Sequence, residues 1–206
     1  TLYVKFRLKD DKGKLKALAE RSKISFLIWT TTAWTLPGNR AISLNPDLDY
    51  VLMRAPDGEV YIVAEGLAKN VAKVAGIEEF EGLDTFKGSY FELMTAQHPW
   101  ADQGSVVLCG DHVTLEAGTG CVHTAPGFGA DDFAVCQKYD KEGLTEIGTP
   151  VPVNNKGVLM DERFTGVHIT KSNEAIIPVL EEAGALLARE DIVHAYPHCW
   201  RCKHPI

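Results

Sequence analysis

One stretch constrains this chain more than any other. An apolar run, Ile24-Ser25-Phe26-Leu27-Ile28-Trp29, passes directly into Thr30-Thr31-Thr32-Ala33-Trp34-Thr35-Leu36-Pro37-Gly38-Asn39-Arg40-Ala41-Ile42. The run predicts a buried strand. Three consecutive threonines at its end gather hydroxyls and backbone amides in a small space, and each hydroxyl can donate one hydrogen bond and accept two. Pro37-Gly38 forces a turn, and Asn39-Arg40 returns further polar groups to the same place. An ordinary threonine-rich strand end would look the same, since Thr is a common strand residue.

The chain's 206 residues suffice for one domain with a sizeable core. Hydrophobic residues make up 45%, which excludes a disordered chain. No apolar run approaches the roughly 20 residues of a membrane-spanning helix, and a soluble protein with no membrane partner is expected. Five cysteines in no extracellular pattern point to a reducing, cytoplasmic setting. A formal charge of −7 argues against a broad nucleic-acid surface but leaves room for local capture of one nucleic-acid end. The chain opens on Thr1 without an initiator Met and enters a strand-like Leu2-Tyr3-Val4-Lys5-Phe6-Arg7, as a piece of a longer protein would.

Along the chain, strands are expected at 2–9, 24–30, 41–44, 49–55 and 59–64, the last two joined by a hairpin turn at Pro56-Asp57-Gly58. Further strands are expected at 90–94, 105–109, 118–124 and 192–196. Residues 78–88 are acidic and irregular. Residues 14–23 read as a solvated loop or short helix, and helices are expected at 65–75, stopped by Gly76, at 129–139, and at 170–183 with Pro178 as a kink or restart. Many short strands and few helices favour a mainly β fold with peripheral helices (α+β), closed as a barrel rather than doubly wound.

A second stretch, Gly118-Thr119-Gly120-Cys121-Val122-His123-Thr124-Ala125-Pro126-Gly127-Phe128-Gly129-Ala130-Asp131-Asp132-Phe133, completes a pattern with the first. Together TTTAWTLPGNRAI, GTGCVHTAPGFGADDF and the ending HAYPHCWRCKHPI resemble the editing domain inserted into isoleucyl-tRNA synthetases, from about Phe26 to the last residue. The sister domains of the valyl and leucyl enzymes carry TTRPET or TTRPDT where this chain has Thr30 to Thr35, and lack the His that stands here as His123. Two departures are Ala33, where many isoleucyl enzymes have Pro, and Phe128, often His in the family.

The resemblance implies the β-barrel core of the valyl/isoleucyl/leucyl editing domains, and an editing domain over 1–194 followed by a connecting segment over 195–206. It implies hydrolysis of the ester in valyl-tRNA(Ile), with isoleucyl-tRNA excluded by size. The partners implied are the tRNA(Ile) 3′ end carrying valine, valyl-adenylate as a further candidate, and the rest of the synthetase in cis, in a monomer. It places the amine-binding carboxylate at Asp132; an alternative reading of the residues makes Asp132 a helix-start carboxylate, unless Asp131 takes that role and leaves Asp132 free. His123 becomes a pocket wall. Thr30, Thr31, Thr32 and Thr35 would bind the terminal adenosine, place water and limit the pocket, without a settled division of roles. Thr31 and Thr32 are assigned with Asp132 to catalysis, and Trp34 and Asn39 to the substrate. A Cys121–His123 nucleophile pair is the competing idea, weakened because i and i+2 lie about 6.6 Å apart along a strand. With no acyl-enzyme nucleophile in view, direct attack by a bound water is expected.

ATP-dependent ligation is not expected here, since no GxxxxGK[ST] loop and neither catalytic-domain signature is present. Editing needs no cofactor. Cys199-x-x-Cys202 has the spacing of half a zinc site, with a redox pair as the alternative, and would hold zinc only in the complete protein; His194, His198 and His204 are nearby candidates. Cys109, Cys121 and Cys136 read as buried thiols. The functional alternatives are an acceptor-end binding module that leaves the ester intact, and an editing domain of valyl or leucyl type.

Overall fold

The apolar run at Ile24 forms the strand that its composition predicts, and the fold is built around it. The computed structural model describes residues 1–191 and 198–203. In chain order the elements are β1 (Leu2–Asp10), α1 (Lys16–Ala19), β2 (Ile24–Thr30), a 3₁₀ turn (Ala33–Gly38), β3 (Ala41–Leu44), β4 (Asp49–Arg54), β5 (Val60–Ala64) and α2 (Ala68–Val74). They continue with β6 (Glu81–Lys87), β7 (Thr95–Gln97), β8 (Gly104–Cys109), β9 (Val122–Thr124), α3 (Ala130–Lys141), α4 (Ser172–Glu182) and β10 (Leu186–Arg189).

Six strands close into a ring in the order β1-β7-β8-β3-β9-β2, and β2 returns to pair with β1. The ring is mixed: β3 is parallel to β8 and β9 parallel to β2, while the other neighbours are antiparallel. Outside it, β5, β4 and β6 extend the sheet from β2, and β10 extends it from β1. Closure leaves the ring without free edges. This is the closed, mainly β architecture with peripheral helices that the element order predicts.

Val4, Phe6, Phe26, Ile28, Ile42, Leu44 and Val107 meet inside the barrel with no exposed surface. Fully burying such a side chain contributes about 1.5–3 kcal/mol. On the other side of the sheet Tyr3, Leu27, Val51, Met53, Tyr61 and Val63 pack beneath Ala68, Val71 and Ala72 of α2. Strand β2 is therefore covered on both faces, which is why it is apolar without alternation. At Gly58, φ is +86°, a backbone that glycine adopts freely, and the β4–β5 hairpin turns there as predicted.

Several boundaries differ. Residues 81–87, expected to be irregular, form β6; in this edge strand only Leu83 and Phe86, three residues apart, are half-buried, so it carries no alternating signal. The strand expected over 90–94 is replaced by a 3₁₀ turn at Gly88–Phe91, with Leu93 at φ +61° and β7 starting only at Thr95. The strand expected from Gly118 starts at Val122, because Gly118 and Gly120 take φ values of +81° and +77°. Helix α4 runs through Pro178 without restarting; Ile176 and Leu180 on either side are fully buried, which offsets the missing backbone bond. The predicted strand at 192–196 and the 194/195 boundary lie outside the described residues. Among those residues no helix is long and apolar enough to cross a membrane.

Candidate functional site

Two ladders bring the two motif stretches together. Trp29 of β2 pairs with Val122 of β9, and Ile42 and Ala41 of β3 pair with His123 and Thr124. The loop between β2 and β3 therefore caps β9. That loop is tightened from within: Thr30 Oγ1 accepts from Thr32 N at 3.0 Å, and Thr35 N donates to Thr32 O at 3.2 Å. The exposed Thr31 hydroxyl lies 3.2 Å from that of half-buried Thr32. Phe128 clasps the loop from the β9–α3 side, meeting Trp34 edge to face at 5.1 Å. A Cβ at Gly38 would stand 2.6 Å from the Phe128 ring, so the clasp needs glycine there.

Behind the loop runs a chain of side-chain hydrogen bonds whose direction can be worked out. Asn39 Nδ2 lies 3.0 Å from Ala41 O, which only accepts, so the amide orientation is fixed. The same nitrogen then donates to His123 Nδ1 at 2.8 Å, and Asn39 Oδ1 accepts from Ser105 Oγ at 2.7 Å. At the other end, Thr35 Oγ1 gives its one proton to Thr32 O at 2.8 Å, so at 2.9 Å it accepts from His123 Nε2–H. Both ends demand the Nε2–H tautomer. Burial pushes the His123 imidazole down to about 3, and nearby His98 adds to the effect. A neutral ring with both nitrogens engaged has no lone pair left to act as a base; it forms a fixed surface.

Asp132 lies in the first turn of α3, as predicted, but it is not free. Its Oδ2 accepts from Ala125 N at 2.8 Å and so folds the β9–α3 loop back on the helix. A structural bond to a backbone amide thus falls to Asp132, and Asp131 does not relieve it of that role. Exposed Asp131 makes no cap bond, the N-cap being Gly129, and Asp132 takes the structural bond. Gly129 leaves room for this, since a Cβ there would meet the carboxylate at 3.0 Å. Burial raises the Asp132 carboxyl above its ordinary value, against the lowering effect of the Ala125 bond.

Of the predicted site residues, Thr31, Thr32, Trp34, Thr35 and His123 gather around the β2–β3 loop. Thr30 and Asn39 stand behind them, tied to Thr32 and His123. Sequence reasoning missed Ser105, the end of the hydrogen-bond chain, and Gln103, whose side chain donates to Asn39 O at 2.9 Å and accepts from Arg40. No local pattern marks either. Cys121 points away from His123, with Sγ 3.4 Å from Ile62 O, and burial raises its thiol, so the nucleophile pair does not form. Cys136 is buried as expected, whereas Cys109 is half-buried. A hollow of about 800 Å³ beside α2, between Lys69 and Phe80, is lined by none of these residues.

Cys199 and Cys202 stand in a turn closed by Lys203 N to Cys199 O at 2.9 Å. Backbone N–H groups of Cys202 and Arg201 are directed at the Cys199 thiol and hold it below its ordinary value. Two such sulfurs suit half of a tetrahedral shell. Among the described residues no third His, Cys, Asp or Glu joins them; His194 and His204 lie outside that set.

The barrel has the fold of solved editing domains of leucyl-tRNA synthetases. The fold matches the crystal structure of GlLeuRS-CP1 with a TM-score of 0.73, at 19% identity over 95% of this chain and 99% of that one. It matches the P. knowlesi cytosolic leucyl-tRNA synthetase editing domain at 0.71, with 13% identity over 91% and 96%. Sequence narrows the class. The chain is 48% identical to the isoleucine–tRNA ligase of Caldanaerobacter subterraneus subsp. tengcongensis and 47% identical to that of Geobacillus thermodenitrificans, in each case over its full length. It spans 22% and 21% of those proteins, about a fifth of their length. No family model matches. The chain corresponds in sequence to an internal segment of isoleucine–tRNA ligases.

Proposed function

We propose that this chain hydrolyses the ester of valyl-tRNA(Ile) and spares isoleucyl-tRNA(Ile), by direct attack of water. The observation that carries this reading is the hydrogen-bond chain from Ser105 through Asn39, His123 and Thr35 to Thr32, which holds a wall rigid beside the polar loop. A methylene in an apolar pocket is worth only about 1–3 kcal/mol in binding, a limit for which this synthetase family is the standard example. Rejecting the larger amino acid by contact requires a wall that does not yield, and an enclosed neutral imidazole bonded at both nitrogens meets that need.

In this reading the 3′-terminal adenosine lies along Thr31 and Thr32, whose hydroxyls orient the attacking water. The open oxygen of Asp132 takes the α-ammonium, a charge-assisted contact. Trp34 borders the pocket. Oriented hydrogen bonds stabilise charge developing on the ester oxygen, and no covalent intermediate forms. The tRNA acceptor end, valyl-adenylate as a further substrate, the remainder of the synthetase in cis and a cytoplasmic location complete the proposal. Zinc would complete its shell at Cys199 and Cys202 only with ligands from elsewhere in the protein, and it takes no part in the hydrolysis.

The test is release of valine from valyl-tRNA(Ile) by this chain, with isoleucyl-tRNA(Ile) as the comparison. Preferential release of valine is expected. Binding of the acceptor end with the valyl ester left intact would overturn the proposal in favour of a binding module.

A further inference from the structure

The hairpin of β7 and β8 reaches back to the loop that carries the first motif. Its turn is shut by His98 N, which donates to Gln103 O at 3.1 Å, and by Gln97 Nε2, which donates to Ala101 O at 2.7 Å. Three side chains of this hairpin then grip the β2–β3 loop. His98 Nε2–H donates to Leu36 O at 3.0 Å, Gln103 Nε2 donates to Asn39 O at 2.9 Å, and Ser105 Oγ donates to Asn39 Oδ1 at 2.7 Å. Leu36, Asn39 and Ser105 have no exposed surface, so the loop is gripped at buried atoms.

Gln103 holds the point on which the hydrogen-bond chain behind the loop turns. Strand β3 meets β8 where Val106 N donates to Arg40 O at 3.2 Å. One residue earlier, Asn39 O takes its donors from side chains, Gln103 Nε2 and, at 3.1 Å, Arg40 Nη1. Arg40 Nη1 also donates to Gln103 Oε1. Asn39 O only accepts and Arg40 only donates, so the Gln103 amide has one possible orientation. Gln103 thus adds a rung to the sheet at the residue whose side chain engages His123. Asn39 Nδ2 meets Ala41 O at 3.0 Å and His123 Nδ1 at 2.8 Å at once. With its side-chain torsions committed to those two bonds, any rotation of the Asn39 backbone carries Nδ2 away from the imidazole.

We propose that Gln103 is a positioning residue for discrimination by size: by fixing the Asn39 carbonyl it holds the Asn39 amide in register with His123, and so keeps the imidazole wall from yielding to the extra methylene of isoleucine. The inference deepens the function proposed above and rests on the reading of His123 as the wall. It assigns Gln103 no contact with the ester or the amino acid; Gln103 acts through Asn39.

The experiment compares hydrolysis of valyl-tRNA(Ile) and isoleucyl-tRNA(Ile) by this chain and two variants, read as the ratio of the two kcat/KM values. Gln103→Met keeps the length of the side chain and removes its hydrogen bonds. Its ratio should fall about fivefold, the worth of one hydrogen bond, chiefly through faster hydrolysis of isoleucyl-tRNA. Gln103→Glu keeps an acceptor for Arg40 but has no donor for Asn39 O, so it should lose selectivity as Gln103→Met does. Loss of folded protein lowers both rates in proportion and leaves the ratio unchanged, so the ratio separates positioning from stability. If Gln103→Met does not fold, Gln103→Glu decides. An unchanged ratio in Gln103→Met, or wild-type selectivity in Gln103→Glu, would overturn the role of Gln103 and leave the proposed function standing. A wild-type chain that does not release valine preferentially would instead overturn that function, and this inference with it.

Discussion

Asn39 donates to Nδ1 of His123 at 2.8 Å, and that bond selects the imidazole tautomer of the proposed pocket wall. The two residues are 84 positions apart and come together only because β3 and β9 are neighbours in the ring. Reversing the polarity of this one contact should unsettle the wall. Asn39→Asp puts an acceptor where Nδ1 needs a donor, so a proton must move to Nδ1 and the Thr35 bond weakens. The expected cost is about 1–3 kcal/mol of stability. Urea unfolding measures it, and nitrogen-15 shifts of the imidazole should show Nδ1 protonated; a retained Nε2–H tautomer would contradict the assignment.

Trimming the wall should loosen the size limit. Thr35→Ala or His123→Ala removes part of the contact surface and should let isoleucyl-tRNA be hydrolysed, by at least tenfold over wild type, since one methylene is worth about 1–3 kcal/mol. Deacylation assays on both charged tRNAs measure this. If both variants hydrolyse valyl-tRNA at full rate and still spare isoleucyl-tRNA, the wall lies elsewhere.

Asp132→Ala should abolish most hydrolysis of valyl-tRNA, because losing a desolvated charged contact costs about 2–5 kcal/mol, or roughly 30- to several-thousand-fold in rate. The Ala125 bond is lost with it, so thermal unfolding must accompany the assay. An N-acetylated valyl ester separates anchor from general base. With Asp132 as anchor, wild type cleaves the blocked ester poorly and the mutation costs little more. Ready cleavage of the blocked ester by wild type would show that Asp132 does not work through the ammonium.

Acid should destabilise the fold through its buried imidazoles. His123 is pushed from 6.5 down to about 3, and His98, whose Nε2–H donates to Leu36 O at 3.0 Å, is pushed by burial down to about 4. Below 6.5 the unfolded chain binds protons that the folded chain refuses, so stability falls as pH drops through that window. Each histidine should account for about 2 kcal/mol between pH 7 and pH 5. Asp132 opposes this at the acid end, since its raised carboxyl favours protonation in the folded state. His123→Gln should flatten the urea-midpoint profile by one histidine's share; an unchanged slope would mean that His123 already titrates near its ordinary value.

Cys199 and Cys202 should bind zinc weakly in this chain, because two thiolates fill half a tetrahedral shell. Dialysis against zinc followed by metal analysis measures this. One zinc retained per single chain would reveal ligands among the residues beyond those described.

What was legible in the sequence was local. The run at Ile24–Thr30 announces a doubly covered strand, Pro56-Asp57-Gly58 a hairpin, and the stretch after Gly129 a helix, because each depends on neighbours in the chain. Strand β6 was not legible, since Leu83 and Phe86 are only half-buried and nothing alternates between them. At the site, Thr31, Thr32 and His123 stood out by motif. Ser105 did not, because its bond to Asn39 spans 66 positions and leaves no trace at either end. The structural bond made by Asp132 rather than Asp131 was hidden too. It depends on where Ala125 N points once β9 is docked, which is a property of the closed ring rather than of the helix start.

The ring closes most thinly at β9, which has three residues and meets β2 through the single pair Trp29–Val122. His123 sits on that seam. Partial opening of a folded protein concentrates where ladders are shortest, so the seam is where the barrel should breathe. Each such opening separates His123 from the loop that bears Thr35 and momentarily enlarges the space between them. Under the proposed function, discrimination by size would be bound to the closure of the barrel itself, and warming should blur it before the domain as a whole comes apart.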